Sequence, residues 1–302
     1  MPDNQIAFVF PAFPGDYTDH PGKTLPGFEE QFNLLLARAA VFTDPELAGF
    51  SFDDCNFLQD ELRTQYITYI YSCAVSVVLR KAHISPVITA GYSMGIYAAL
   101  FDTGAVSFET GLQLIRCAYI SLRASLGNEG YGMGTFIGLS ESDIQQLIDQ
   151  SNLRIEITNQ NAAFSFVVSG YLNDIHKLIE LAKEEGALHA RDLAVSIPYH
   201  SSYLKEGATD FANQTDHLTI NAPESPVLSM IDQISLSTPE IIRQEIFRNL
   251  FQPLQWYKTM QVILSRNISD YVECGPSNGL AKNAKFVDGV KFFPLPSMLR
   301  GS

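Results

Sequence analysis

The stretch VITAGYSMGIYAALFDTG at 87–104 constrains the fold more than any other part of the chain. Its β-branched start predicts a strand buried on both faces, and the residues after the serine favour a helix. Between the two lies GYSMG at 91–95, which fits the G-x-S-x-G pattern of a nucleophile elbow. So tight a turn leaves no room for side chains at either glycine. The pattern therefore predicts a sheet that presents Ser93 at the carboxyl end of one strand.

An elbow would place Ser93 at the N-terminus of a helix, where backbone N–H groups and the helix dipole favour negative charge. The Met94 N–H is a natural donor to an oxyanion at this point. The alternative is a glycine-bracketed turn that happens to contain a serine. The buried strand before the pattern and the helix after it are the context that an elbow requires.

Strands and helices alternate in the first part of the chain, which predicts an α/β fold with a parallel sheet. Short apolar strands are predicted at 6–10 and 86–91, and helices at 28–40, 62–81, 97–100 and 108–126.

The pattern changes after Gly127 and predicts strand, helix, two strands, helix and strand, the βαββαβ order of a ferredoxin-like unit. We expect the two central strands to be joined by a polar link at 159–163. The prediction is an α/β-hydrolase-like large domain formed by 1–126 and 197–302, with a small ferredoxin-like domain inserted at 127–196. Beyond the insertion we expect strands at 226–231 and 270–275, and helices at 239–251 and from 256.

Composition excludes several classes of protein. The net charge of −13 argues against binding to nucleic acid or to an anionic membrane. No apolar run approaches the roughly 20 residues needed to span a bilayer, and no basic segment precedes the first apolar one. The four cysteines lie far apart, which indicates free thiols and no metal site. We expect a cytoplasmic monomer.

A serine nucleophile needs a base, and the chain has six histidines. His200 lies in VSIPYHSS, a loop that returns from the inserted unit to the main domain, where clefts form. The order of Ser93 before His200 agrees with elbow hydrolases. The residues alone leave the choice of His200 open, and nothing in the sequence supports a functional role for His20, in the loop after the first strand.

Several spaced motifs occur together, and their order resembles that of the malonyl-CoA:acyl-carrier-protein transacylases and the related acyltransferase domains of polyketide synthases. The resemblance runs nearly end to end. The segments that carry it are FVFPAFPG, TQYITYIYSCAVSVVLR, GYSMGIYAAL, NQNAAFSFVVSG, VSIPYHSSYL, LFQPLQW and VECGPSNGL.

The resemblance implies that Ser93 is the nucleophile and His200 the general base. A main-chain or amide carbonyl orients the histidine in this family, and Gln255 is the matching position. The N–H groups of Met94 and Phe13 would form the oxyanion hole.

The resemblance also implies a partner and a reaction. An acyl group would pass from a thioester to the serine, and then to the phosphopantetheine thiol of an acyl carrier protein, with acyl-CoA or another acyl thioester as donor. Asn161 matches an asparagine near the site. No bound metal or redox cofactor is implied.

The chain departs from the malonyl-specific pattern in the residues expected to bind the acyl group. Ala118 stands where those enzymes have an arginine for the malonate carboxylate, and Arg116 and Arg123 point elsewhere on a helix. Tyr92 replaces the usual histidine before the serine, and Tyr199 occupies the position before the catalytic histidine. Burying an unpaired carboxylate costs several kcal/mol, so we expect a neutral acyl group and poor use of malonyl.

Three functions remain open at this point. The first is acyl transfer to or from a carrier protein in polyketide or fatty-acid biosynthesis. The second is an acyl hydrolase that removes acyl groups from carrier proteins as proofreading, with water as acceptor. The third is a non-catalytic module that binds carrier proteins, against which the presence of Ser93, His200, Asn161 and Gln255 together argues. A free-standing lipase or esterase is disfavoured by the inserted unit and the missing acidic triad member.

Overall fold

The structure is a computed structural model that describes residues 5–12, 17, 20–53 and 59–295. Its strands are β1 (Ile6–Phe10), β2 (Ile88–Gly91), β3 (Tyr131–Ile137), β4 (Ile155–Ala162), β5 (Ser165–Tyr171), β6 (His189–Leu193), β7 (Val227–Leu228), β8 (Leu254–Gln255), β9 (Asp270–Glu273) and β10 (Lys291–Phe292). Its helices are α1 (Phe28–Phe42), α2 (Glu61–Lys81), α3 (Gly95–Asp102), α4 (Phe108–Ser125), α5 (Glu141–Gln150), α6 (Leu172–Glu184), α7 (Lys205–Thr215), α8 (Pro239–Asn249), α9 (Trp256–Ser265) and α10 (Gly279–Ala284).

A parallel sheet of order β10-β9-β1-β2-β7 forms the larger layer. Residues 7–10 of β1 are fully buried, as an all-apolar strand covered on both faces should be. The register pairs Phe10 with Gly91, so the carboxyl ends of β1 and β2 lie side by side beneath the elbow. The predicted α/β fold with a parallel sheet is confirmed.

A second sheet of order β6-β3-β5-β4-β8 contains the strands from the middle of the chain. Its first four strands are antiparallel neighbours, in the order expected of a βαββαβ unit. The helices α5 and α6 bury their apolar residues against it. The two-residue strand β8 joins its edge by parallel pairing with β4, so the sheet includes residues from outside 127–196. The division into two domains at those boundaries stays a prediction.

The polar link predicted at 159–163 was wrong. Residues 159–162 belong to β4, and the chain turns at 163–164. Residues 159–162 are held extended because they continue the antiparallel pairing with β5, and Asn159 and Gln160 also pair with Leu254 and Gln255 of β8. The strand expected at 226–231 is reduced to the two residues of β7.

None of the helices within the described ranges is both long and apolar enough to cross a membrane.

Candidate active site

Ser93 lies on a sharp turn between β2 and α3. Its φ of +56° is in the left-handed region, which residues with side chains rarely adopt. A Cβ atom on Gly91 would lie 2.3 Å from the Cα atom of Ile96, and one on Gly95 would lie 2.1 Å from the carbonyl oxygen of Phe10. Both glycines are therefore required by backbone contacts, and the turn is a nucleophile elbow in its geometry.

His200 faces this serine across the site. Its Nε2 atom lies 2.8 Å from Ser93 Oγ, and its Nδ1 atom lies 2.5 Å from the carbonyl oxygen of Asn249. A carbonyl oxygen can only accept a hydrogen bond, so Nδ1 carries the proton and Nε2 offers its lone pair to the serine hydroxyl. The structure thus brings together the two residues on which the sequence hypothesis rests.

The contact at Nδ1 corrects the position given to Gln255. Asn249 is the last residue of α8, where backbone carbonyls have no partner within the helix. That carbonyl, and not the Gln255 amide, takes the orienting position beside His200. The next carbonyl, that of Leu250, accepts the backbone N–H of His200 at 3.0 Å. Two carbonyls at the end of α8 therefore fix the histidine by its ring and by its main chain.

Burial governs the protonation of His200, which is only 2% exposed. Desolvation lowers the pKa of the imidazole to about 4, although the Asn249 carbonyl favours the charged form. At neutral pH the ring is therefore uncharged and able to accept a proton from Ser93.

The structure describes one of the two predicted N–H donors of the oxyanion hole. The Met94 N–H stands at the start of α3 directly after the serine, and none of the hydrogen bonds of the described residues uses it. Phe13, the second predicted donor, lies outside the described residues. Its role stays a prediction from the resemblance.

A pocket that is open to solvent adjoins Ser93 and His200. Ala118 and Tyr199, two of the predicted acyl-binding residues, line it. Its other lining residues are Gln65, Met94, Tyr97, Tyr119, Asn249 and Leu250. No lysine or arginine belongs to this lining among the residues that the structure describes, and Arg116 and Arg123 are exposed.

Tyr92 and Asn161 do not reach the lining of this pocket. The Tyr92 hydroxyl donates to Asn161 Oδ1 at 2.9 Å and accepts from Asn159 Nδ2 at 2.7 Å. Burial raises the pKa of this phenol to about 12, so it stays a neutral hydroxyl. The structure thus uses Tyr92 to join the elbow to β4, and contact of Tyr92 or Asn161 with a substrate stays a prediction.

Three residues near the site were missed by sequence reasoning. Asn249 acts through its main-chain carbonyl, so its residue type gives no indication of this role. The signal that the sequence offered was the end of a predicted helix close by. Gln65 and Glu61 both hydrogen-bond the hydroxyl of Tyr199. Their signal was the polarity of two residues at the start of an otherwise apolar helix.

No metal centre is found in the part of the chain that the structure describes, since no three His, Cys, Asp or Glu side chains there could hold an ion together.

A serine on a strand–helix elbow, paired with a neutral histidine beside an open pocket, is typical of the class of α/β proteins that transfer or hydrolyse acyl groups. No protein-family model matches the chain. Whole-length comparisons with known proteins are more specific.

The chain is similar to the malonyl CoA-acyl carrier protein transacylase of Bacillus subtilis strain 168, with 26% identity over 290 residues that cover 94% of this chain and 91% of that protein. The transacylase of the same description from Coxiella burnetii has a TM-score of 0.86 at 25% identity and covers 98% of this chain and 96% of its own. A malonyl-transacylase solved in complex with a type II polyketide synthase acyl-carrier protein has a TM-score of 0.83, covers 99% of this chain and 100% of its own, and at 22% identity supports the fold alone.

These relatives agree with the motifs and with the fold over almost the whole chain. Over almost its whole length the chain is similar to malonyl-CoA:acyl-carrier-protein transacylases.

Proposed function

We propose that the protein is an acyltransferase that moves an uncharged acyl group between a thioester donor and an acyl carrier protein, through an ester on Ser93. The observation that carries the proposal is the 2.8 Å contact of Ser93 Oγ with the neutral His200. The names of its relatives support transfer to an acyl carrier protein as the reaction class.

The first half of the reaction acylates the enzyme. Ser93 Oγ attacks the thioester carbonyl carbon while its proton passes to His200 Nε2. The oxygen of the tetrahedral intermediate carries the negative charge and faces the Met94 N–H. The C–S bond then breaks, and the leaving thiolate takes the proton from Nε2. The imidazolium formed on the way is stabilised by the Asn249 carbonyl and by the negative end of the α8 dipole.

The second half runs the same steps in reverse with a new thiol. The phosphopantetheine thiol of a carrier protein gives its proton to His200 and attacks the ester, and Ser93 Oγ leaves with that proton. No step draws on a bound metal or redox cofactor. Water in place of the thiol would give hydrolysis, and the test below separates the two outcomes.

The nature of the acyl group follows from the pocket. Ala118 offers a methyl group where a carboxylate would need a cation, and no described lining residue supplies one. An unpaired carboxylate buried there would cost several kcal/mol, so uncharged acyl groups are favoured over malonyl.

The test is to incubate the protein with acetyl-, butyryl- and malonyl-CoA and to follow the mass of the intact protein. We expect Ser93 to gain the acetyl or butyryl mass, and to lose it when a holo acyl carrier protein is added, with the same mass appearing on the carrier. Ser93→Ala should gain none. Turnover by Ser93→Ala would exclude this function, release of free acid without carrier acylation would favour the hydrolase, and rapid loading from low micromolar malonyl-CoA would refute the specificity.

A further inference from the structure

Glu61, the first residue of α2, reaches the loop that carries His200. Its Oε1 atom accepts a hydrogen bond of 2.7 Å from the Tyr199 hydroxyl, and its Oε2 atom accepts one of 3.2 Å from the Ser196 hydroxyl. Tyr199 lines the pocket beside Ser93, whereas Glu61 is not among the lining residues and contacts the tyrosine through its hydroxyl. A carboxylate is therefore placed one side chain away from the space that an acyl group would occupy.

The Tyr199 hydroxyl is fully engaged by its neighbours. Its single hydrogen is donated to Glu61, and the Gln65 amide donates to its oxygen at 2.8 Å. Burial and the nearby Glu61 carboxylate raise the pKa of this phenol, so it remains a neutral hydroxyl. The side chain thus has no proton to offer to a carboxylate on a substrate.

We propose that Glu61 is a specificity-determining residue that acts through Tyr199 to exclude acyl groups bearing a carboxylate. This inference rests on the proposed function, in which carboxylates are disfavoured because no described lining residue is a cation. It adds that the anionic side chain of Glu61 repels them. Two effects add: the phenol donor is engaged, and a substrate carboxylate meets a like charge. At separations of several Å and an effective dielectric constant of about 20, the repulsion between Glu61 and a substrate carboxylate slows the acylation of Ser93 roughly tenfold or more.

A purely structural role for Glu61 has a different signature. Through Ser196 and Tyr199 it also holds the loop that leads to His200, so its loss could misplace the histidine. A misplaced base would slow the loading of every acyl group by the same factor. A charge effect changes the ratio between charged and uncharged acyl groups, and that ratio is the quantity to measure.

Two substitutions separate the charge from the hydrogen bond. Glu61→Gln removes the charge but keeps an oxygen that can accept from Tyr199. Tyr199→Phe removes the hydrogen bond but keeps the charge. Glu61→Met is a second uncharged variant, and Glu30→Gln, at an exposed position on α1, is a matched control that changes the net charge of the protein equally.

For each variant, the rate of Ser93 acylation is measured by intact mass with malonyl-CoA and with butyryl-CoA. We expect the malonyl-to-butyryl ratio to rise about tenfold or more in Glu61→Gln and in Glu61→Met. It should stay at the wild-type value or fall in Tyr199→Phe, and stay at that value in Glu30→Gln.

An unchanged ratio in both Glu61 variants, or an equal rise in Tyr199→Phe, would overturn the role of Glu61 while leaving acyl transfer in place. Failure of the wild-type protein to load Ser93 from any thioester would instead overturn the proposed function, and this inference with it.

Discussion

His200 is subject to two opposing influences, and their balance decides its chemistry. Burial removes water from the ring and lowers the pKa to about 4, while the carbonyl of Asn249 favours the protonated ring. The result is a base that is uncharged in the resting site but has a partner ready for the charge it gains. A carbonyl does this without a permanent negative charge, unlike the carboxylate of a Ser-His-Asp triad.

The low pKa predicts an unusual pH profile. The unprotonated ring is the base, so the rate of acylation by butyryl-CoA should be nearly constant from pH 8 down to about 5.5, and fall only toward pH 4. A histidine with an ordinary pKa near 6.5 would lose about tenfold over that range. Rapid-quench mass analysis at each pH measures the rate, with Trp256 fluorescence as a check on folding. A midpoint near 6.5 would contradict the assignment.

Side-chain chemistry at the site could be predicted, whereas main-chain chemistry could not. The requirement for Gly91 and Gly95 follows from the steric limits of a strand–helix turn, and the structure bears it out. The Asn249 carbonyl is available only because α8 ends there, and the sequence predicted that helix to continue to 251. Helix ends shift by a residue or two without a strong local signal.

At the scale of elements, the elbow is fixed from both sides. On one side Gly95 lies directly against the backbone of β1. On the other the Tyr92 hydroxyl bonds Asn159 and Asn161 of β4, so the turn that carries Ser93 is attached to both sheets. The second attachment could not be predicted, because the sequence placed those two asparagines in a polar link and not in a strand that reaches the elbow.

Because the elbow is closely packed, one methyl group added at Gly95 should strongly destabilise the folded protein. Gly95→Ala would place a Cβ atom 2.1 Å from the Phe10 carbonyl oxygen, and backbone on both sides must move. We expect the free energy of unfolding to fall by about 3 kcal/mol or more. Gly127→Ala is the control, because a Cβ there meets nothing within 4 Å, and it should change stability by no more than about 0.5 kcal/mol.

Urea titration followed by the fluorescence of Trp256, the only tryptophan and fully buried, measures both variants. Equal midpoints for Gly95→Ala and Gly127→Ala would show that the elbow tolerates a side chain and that the steric argument is mistaken.

At the scale of the whole molecule, local pattern predicted both sheets apart from the two-residue strands β8 and β10, but not how the sheets join. Apolar strands and helical spacing extend over many residues, and each sheet follows from them. The junction depends on β8, a two-residue strand that pairs with residues nearly a hundred positions away. So short a strand has no periodicity, and only the folded core gives it a partner.

The parallel sheet also buries a carboxyl group that the proposed reaction does not use. Glu273 ends β9 and is 4% exposed. Its two oxygens accept the N–H groups of Leu280 and Ala281 at 3.2 and 3.0 Å. Burial nevertheless dominates and raises the pKa to about 7, so the native protein holds a proton there that the unfolded chain has lost.

This difference predicts the direction in which stability depends on pH. Between the unfolded pKa of 4.5 and the folded value of about 7 the native state binds more protons, so the Glu273 contribution to stability falls as pH rises. Glu273→Gln cannot ionise. The wild-type free energy of unfolding should therefore decrease relative to that of the variant by about 2 kcal/mol from pH 5 to pH 8, whatever the fixed cost of the substitution. Urea titrations of both proteins at each pH measure this change, and Glu206→Gln, at an exposed site, should show no such trend. A wild-type-to-variant difference that stays constant with pH would mean that Glu273 is already ionised in the folded protein, held by the amides at the start of α10.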